Sequence, residues 1–206
     1  MRKNLRRFAV FASGRGTNLE NIIRHVRAGK IQAELAMVFS DNPKALALKK
    51  ARRHGIKRLY LLRESFPSKE TFEAEILRNL QQEKVNFMVL AGYMRIVGPT
   101  LLRAFPQKIL NIHPALLPAF KGAQAIRDAY DHGVKITGVT VHFVDEKVDH
   151  GPIILQKEVR IDPKDSYQDV ERKIHSAEYQ LYPQAIQFFA KGRLKIRKRK
   201  VWILPR

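Results

Sequence analysis

The sequence predicts an α/β fold: a three-layer, mostly parallel twisted sheet with helices on both faces. Two observations carry this expectation. Short apolar strands rich in β-branched residues alternate with amphipathic helical stretches along most of the chain, the pattern of strands that are covered on both sides. The length, 206 residues, suits one sizeable core better than two ordinary domains.

Taken in order, Arg7 to Ala12, apolar from Phe8 onward, reads as a short buried strand. A helix from Thr17 to about Ala28 follows, with Leu19, Ile22, Ile23 and Val26 spaced to fall on one face. Next come a strand at Leu35 to Phe39, a helix from about Lys44 to His54 ended by Gly55, and a strand at Arg58 to Leu62. Ser68 caps a long helix that reaches about Glu83, in which Phe72, Ile76 and Leu80 recur every fourth residue. Strands are predicted at Phe87 to Ala91 and Ile109 to His113, then a helix from about Ala123 to His132. Two further strands, Thr137 to Val144 and Ile153 to Ile161, flank the polar loop Asp145 to Gly151. A last helix spans Ser166 to Ala190. The basic stretch after it alternates with Leu194, Ile196, Val201 and Ile203, and reads as a solvated edge strand. One domain over 1–206 is expected, with an N-terminal half at about 7–100, a C-terminal half at about 101–190 and a basic extension at 191–206.

Composition excludes several classes. There is no Cys, so no disulfide, thiolate nucleophile or Cys-ligated metal is available. No apolar run reaches the ~18 residues a membrane span needs. Met1 to Arg7 is basic, like the start of a signal peptide, but only Phe8 to Ala12 follow as an apolar run, too short for a secretory signal. A cytoplasmic protein is expected. The charge, 39 Lys+Arg against 19 Asp+Glu or +20, would ordinarily point to nucleic acid. Its distribution argues against that partner: basic residues are scattered over helix faces and concentrate only at Arg2 to Arg7 and Lys191 to Lys200. A positive field also concentrates small anionic substrates.

Two motifs carry chemistry. Asn111 and His113 stand two residues apart on one strand, so their side chains share a face, and Pro114 stops the strand with both at its mouth. An amide N–H can hold a developing oxyanion while an imidazole exchanges a proton near neutral pH. Neighbouring loops could equally satisfy such a pair. The second motif, Ser13-Gly14-Arg15-Gly16-Thr17-Asn18, links the first strand to the first helix, where backbone N–H groups and the helix dipole favour an anion. Leu19 takes the third glycine position of a dinucleotide fingerprint and no Gly-Lys-Ser/Thr follows, so a single phosphate group fits best. An ordinary glycine turn with a Thr or Asn cap is the plain alternative.

These stretches resemble the phosphoribosylglycinamide formyltransferases, a branch of the formyl-transferring enzymes, over about Phe8 to Ala190. Ser-Gly-x-Gly-Thr-Asn at Ser13 to Asn18 is typical of the glycinamide ribonucleotide branch. The blocks Ala-Gly-Tyr-Met-Arg-Ile at Ala91 to Ile96, Asn-Ile-His-Pro-Ala-Leu-Leu-Pro at Asn111 to Pro118, Gly-Val-Thr-Val-His-Phe-Val at Gly138 to Val144 and Asp-His-Gly-Pro-Ile-Ile-Leu-Gln at Asp149 to Gln156 complete it. The resemblance implies a Rossmann-like formyltransferase fold. It also implies transfer of a formyl group from 10-formyltetrahydrofolate, a co-substrate, to the amine of glycinamide ribonucleotide in purine synthesis. Asn111, His113 and Asp149 would be catalytic, with Asp149 favouring an imidazolium at His113. Gly16, Thr17, Asn18 and Glu178 would hold the ribonucleotide. Lys69, Met94, Arg95, Ile96 and Val97, with Asn111, would hold the folate. Taken singly, Asp149 reads as a turn cap, Met94, Ile96 and Val97 as core, and Glu178 as a solvated helix residue.

Arg15, Lys69, Ala115, Gln124 and Ile126 depart from the common pattern of that family. The other histidines, including His142 on an apolar strand, read as structural or solvated, and no metal is expected. A monomer or homodimer acting on small molecules, with no membrane partner, is expected. The rival readings are another user of 10-formyltetrahydrofolate, either a formyltransferase or a hydrolase, and a basic nucleic-acid-binding protein on the same scaffold.

Overall fold

The structure is a computed structural model and describes residues 5–205; Met1 to Asn4, which include part of the N-terminal basic cluster, lie outside the described residues. The fold is α/β, with a mostly parallel sheet flanked by helices, as the strand and helix alternation predicts. The chain forms two compact units, divided between Leu110 and Asn111.

The first unit holds β1 (Arg7–Phe11), α1 (Thr17–Arg27), β2 (Glu34–Ser40), α2 (Leu46–Arg53), β3 (Lys57–Tyr60), α3 (Lys69–Gln82), β4 (Phe87–Leu90) and α4 (Pro99–Ala104). Its strands lie in the order β3-β2-β1-β4, all parallel. The chain therefore winds outward from β1 to β3, then returns through α3 to the other side of β1. That reversal makes the β1/β4 boundary a topological switch point, where the loops leaving two strands diverge and open a crevice. Phe8, Ala9, Val10 and Phe11 are all fully buried, which is why β1 shows no polar alternation. Phe8 stacks on Phe87 at 5.1 Å between centroids, and Phe11 packs on Phe39 at 4.7 Å.

In α3, Ser68 Oγ accepts the Thr71 N–H at 3.2 Å and the Thr71 hydroxyl reciprocates to the Ser68 N–H, closing a capping box. Phe72, Ile76 and Leu80 are buried along one stripe, each contributing about 1.5–3 kcal/mol of transfer free energy. Buried Glu73 on the same helix accepts the N–H groups of Gly98 and Leu101 and so caps α4. This helix was not expected from periodicity. It is short, and its signal is only Pro99 at its first position after Gly98.

β5 (Ile109–His113) carries the chain into the second unit, which contains α5 (Ala125–Asp131), β6 (Ile136–Phe143), β7 (Ile153–Arg160), α6 (Tyr167–Ala190), β8 (Leu194–Arg197) and β9 (Lys200–Ile203). Strand order here is β5-β6-β7-β9-β8. β6 and β7 are antiparallel from Ile136↔Arg160 to His142↔Ile153, with a register irregularity between Val141 and His142. The single edge strand expected after Lys191 is instead a hairpin: β8 and β9 pair antiparallel, and β9 runs parallel to β7. Apolar alternation continues through the turn, which has no Gly, Pro, Asn or Asp to mark it; Lys198 takes the left-handed conformation itself, at φ 54°. Among the described residues no helix is long and apolar enough to cross a membrane.

Candidate active site

In the second unit His113 faces the Asp149 carboxylate directly, and Asn111 is linked to it through His142. His113 Nδ1 stands 3.3 Å from Asp149 Oδ2. The Asn111 amide donates from Nδ2 to His142 Nε2 at 3.2 Å, and His142 Nε2 lies 3.6 Å from Asp149 Oδ1. Main-chain groups complete the arrangement: His113 Nε2 donates to the Phe120 carbonyl at 2.7 Å, His142 Nδ1 donates to the Phe143 carbonyl at 2.7 Å, and Asp149 Oδ2 accepts the Gly122 N–H at 2.9 Å. These carbonyls can only accept, so the protons of both rings are assigned to Nε2 of His113 and Nδ1 of His142. His142 Nε2 is then an acceptor, and it fixes which way the Asn111 amide faces. One amide hydrogen on Asn111 remains for another oxygen.

Burial pulls the His113 pKa below its ordinary value, against the opposing pull of the Asp149 charge and the Phe120 carbonyl. Near neutral pH the free ring is therefore on its neutral side, because desolvation outweighs the carboxylate 3.3 Å away, although Asp149 favours the charged form as expected. For Asp149, burial acts upward, but His142 and His113 in their protonated forms, together with the Gly122 N–H, overcome it and hold the carboxyl below its usual range. Asp149 is ionised, set beside a neutral ring whose Nδ1 can take a proton.

His142 was expected to be a satisfied core histidine, and it is buried and satisfied. Its partner, however, is the Asn111 amide, and this could be anticipated only through the alignment of β6 beside β5. Glu178 on α6, expected to be solvated when taken alone, is 5% exposed and accepts from His175 Nδ1 at 2.9 Å. Its charge also acts to raise the His113 pKa. Gln124 is exposed and Ile126 half-buried, while Ala115 is fully buried and its carbonyl accepts from Thr140 Oγ1 at 2.7 Å.

In the first unit the switch point joins the two loops singled out by sequence. Ser13 donates its N–H to the Gly92 carbonyl at 2.9 Å, and its hydroxyl accepts the Met94 N–H at 3.0 Å. The same hydroxyl donates to Asp41 Oδ1 at 2.6 Å; Asp41 Oδ2 receives Arg95 Nε at 2.7 Å, and Arg95 Nη2 reaches Glu64 at 3.0 Å. Arg95 is thus committed to carboxylates of its own unit. Gly16 serves as the α1 N-cap at φ 67°, replacing the Thr or Asn side-chain cap considered above. A Cβ there would meet Ala47 Cα at 2.9 Å, so only glycine fits. Gly16 leaves Thr17 and Asn18 in the first turn of α1, the positive end of its dipole, and Lys50 Nζ binds the Gly16 carbonyl at 3.0 Å. Met94 and Ile96 are 70% and 61% exposed, which overturns the core reading for both, while Val97 is buried. Lys69, the first residue of α3, is half-buried. Among the described residues, no group of three or more His, Cys, Asp or Glu side chains is arranged to hold a metal ion.

Residues 6–186 match the formyl transferase family, and the chain belongs to that family. A phosphoribosylglycinamide formyltransferase of Bacillus subtilis is 42% identical over 183 residues, which are 89% of this chain and 94% of that protein. The enzyme of the same name from Haemophilus influenzae is 41% identical over 94% of this chain and 91% of its own length. The crystal structure of glycinamide ribonucleotide transformylase 1 from Symbiobacterium toebii superposes with a TM-score of 0.95 at 47% identity, covering 98% of this chain and 95% of that one.

Proposed function

We propose that this chain transfers the formyl group of 10-formyltetrahydrofolate to the amine of N1-(5-phospho-D-ribosyl)glycinamide, a step of purine biosynthesis carried out in the cytoplasm. The observation that supports the reading is the pairing of His113 with Asp149 and of Asn111 with His142, itself 3.6 Å from the same carboxylate, in a chain whose close relatives are named for that reaction. The neutral amine attacks the formyl carbon; a carbon–nitrogen bond forms and the formyl oxygen becomes an oxyanion. The remaining Asn111 amide hydrogen donates to that oxygen. A proton leaves the attacking nitrogen for His113 Nδ1, where Asp149 stabilises the resulting imidazolium. Return of a proton to the folate nitrogen lets the folate carbon–nitrogen bond break, giving formylated product and tetrahydrofolate.

Gly16, Thr17 and Asn18 would bind the ribonucleotide phosphate through α1's first turn, and Glu178 its ribose hydroxyls. Met94, Ile96 and Val97, with the backbone around Arg95, would enclose the pterin. The exposure of Met94 and Ile96 supports this, because two large apolar side chains left in water are suited to covering an aromatic ligand. Lys69 would face the folate's glutamate tail as a point charge. The reaction requires no metal, since an amide donor and an imidazole supply oxyanion stabilisation and proton transfer.

The test is direct. Purified protein is mixed with both substrates and the absorbance of tetrahydrofolate is followed. Turnover that needs both substrates is expected. Folate release without the ribonucleotide would instead mark a hydrolase, and no turnover beside an active control would reject the reading.

A further inference from the structure

The loop that carries Asp149 is gripped by a residue outside the segment that matches the family. Arg199 begins the return of the β8–β9 hairpin, beyond residue 186, where the match ends. Its guanidinium donates from Nη2 to the His150 carbonyl at 2.6 Å and from Nη1 to His150 Nε2 at 3.1 Å. The other ring nitrogen, Nδ1, lies 2.7 Å from Asp145 Oδ2. A guanidinium only donates, so Nε2 accepts and the ring proton sits on Nδ1, bound for Asp145. Arg199, His150 and Asp145 therefore form a directed chain from the hairpin tip to the first residue of the Asp145–Gly151 loop.

That loop needs restraint. Asp149 sits at φ 47°, a left-handed conformation that Asp tolerates better than most non-glycine residues but that still costs backbone free energy its surroundings must offset. Its carboxylate must serve Gly122 at 2.9 Å while standing 3.3 Å from His113. Both Arg199 contacts fall on the next residue, so movement of the hairpin tip is transmitted to Asp149 across one peptide bond. The hairpin base is held independently: Arg193 Nε donates to the Leu204 carbonyl at 2.7 Å, and its guanidinium lies over the Phe188 ring at 4.9 Å. Losing Arg199 thus frees the loop without detaching the hairpin.

We propose that Arg199 is a positioning residue for formyl transfer, its two-point grip on His150 holding the loop so that the Asp149 carboxylate stays beside the His113 ring. The inference rests on the proposed reaction. Lysine cannot replace it fully, because a single ammonium lacks the planar fork that spans a carbonyl and a ring nitrogen.

The experiment compares Arg199→Ala, Arg199→Lys and the exposed hairpin control Lys195→Ala, each in the wild-type and Asp149→Asn backgrounds. Steady-state kinetics, thermal unfolding and amide hydrogen exchange over 145–151 are measured for each. In the wild-type background Arg199→Ala should lower kcat about tenfold, a fraction of what misplacing a catalytic group by about 1 Å can cost, with both KM values changed by less than about twofold. Arg199→Lys should fall between, and Lys195→Ala should match wild type. In the Asp149→Asn background the Arg199→Ala loss should shrink to less than about twofold, because its target is gone. Exchange over 145–151 should quicken in Arg199→Ala with or without substrates, while the unfolding midpoint holds.

Wild-type kcat in Arg199→Ala, an equal loss in both backgrounds, or unchanged exchange would each overturn the inference. A wild-type protein that exchanges as described yet transfers no formyl group would overturn the proposed reaction instead, and with it this residue's part in catalysis.

Discussion

Replacing Asp149 by Asn removes one charge and little else, since an amide oxygen can still accept the Gly122 N–H that Oδ2 accepts at 2.9 Å. The charge stands 3.3 Å from His113 Nδ1, and both side chains are nearly buried. Burial is the largest influence depressing the His113 pKa, with His142 adding to it, and Asp149 is the largest opposing it. At an effective dielectric constant of about 20, two unit charges about 4 Å apart attract by about 4 kcal/mol, and observed shifts from such neighbours run from about 1 to 3 pKa units. Asp149→Asn should therefore lower the His113 pKa further, by about 1–3 units. The same attraction would act on the imidazolium proposed to form during transfer. Losing it should cost about 1.4–4 kcal/mol of transition-state stabilisation, or about tenfold to a thousandfold in kcat. Two measurements check this: an NMR titration of the His113 ring in each protein, and the pH dependence of kcat/KM, whose acid limb should move to lower pH in the variant. An unchanged or raised His113 pKa, or a wild-type rate in Asp149→Asn with the variant folded, would refute the reasoning.

His142→Ala removes the acceptor that orients the Asn111 amide at 3.2 Å. It should lower kcat about tenfold with small KM changes, whereas Asn111→Ala, which deletes the proposed oxyanion donor, should cost about a hundredfold to a thousandfold; both are read by steady-state kinetics. At Gly151 a Cβ would meet the Phe143 carbonyl oxygen at 1.8 Å, so Gly151→Ala must displace backbone at the end of the Asp149 loop. It should destabilise the fold by about 1–3 kcal/mol in chemical denaturation and lose most activity. The pKa values of His113 and Asp149 both lie below their ordinary values of 6.5 and 3.8 in the folded state. The unfolded chain therefore takes up protons first on acidification. The stability held above pH 6.5 declines as pH falls through the His113 window, and again below pH 3.8 through that of Asp149. Denaturation against pH should show a shallower decline below pH 6.5 in His113→Gln than in the wild type.

Strands and long helices were legible wherever burial left a periodic signature. β1 and β4 are apolar throughout because both faces are covered, and α3 repeats Phe72, Ile76 and Leu80 with Ser68 in front. What stayed hidden has a common cause: its determinants are main-chain groups or lie far apart in sequence. α4 starts at Gly98-Pro99 under a carboxylate from Glu73, 25 residues earlier. The turn at Lys198 uses a left-handed lysine where a glycine would have marked it. Ser13, Asp41 and Arg95 form one chain of hydrogen bonds at the switch point, although nothing in any of the three segments alone implies the others.

The same division runs through the site. Asn111 and His113 were legible because a strand puts i and i+2 on one face, and that relation is purely local. Their protonation and aim were not, because the Phe120 carbonyl, the Gly122 N–H and the Phe143 carbonyl decide them, and main-chain groups carry no residue-type signature. The resting charge of His113 shows the consequence. From residue types alone, a carboxylate partner argues for an imidazolium; adding the burial of the ring reverses the sign. A neutral ring beside an ionised carboxylate suits a group that must accept the proton of an attacking amine, because the base is vacant at rest and stabilised only once the proton arrives. If the ring instead carried its proton at rest near neutral pH, Nδ1 would have no vacancy, and the amine would have to lose its proton to solvent. The NMR titration proposed for Asp149→Asn separates these cases through its wild-type arm: a His113 ring still protonated at the pH where the enzyme turns over would exclude the vacant-base mechanism.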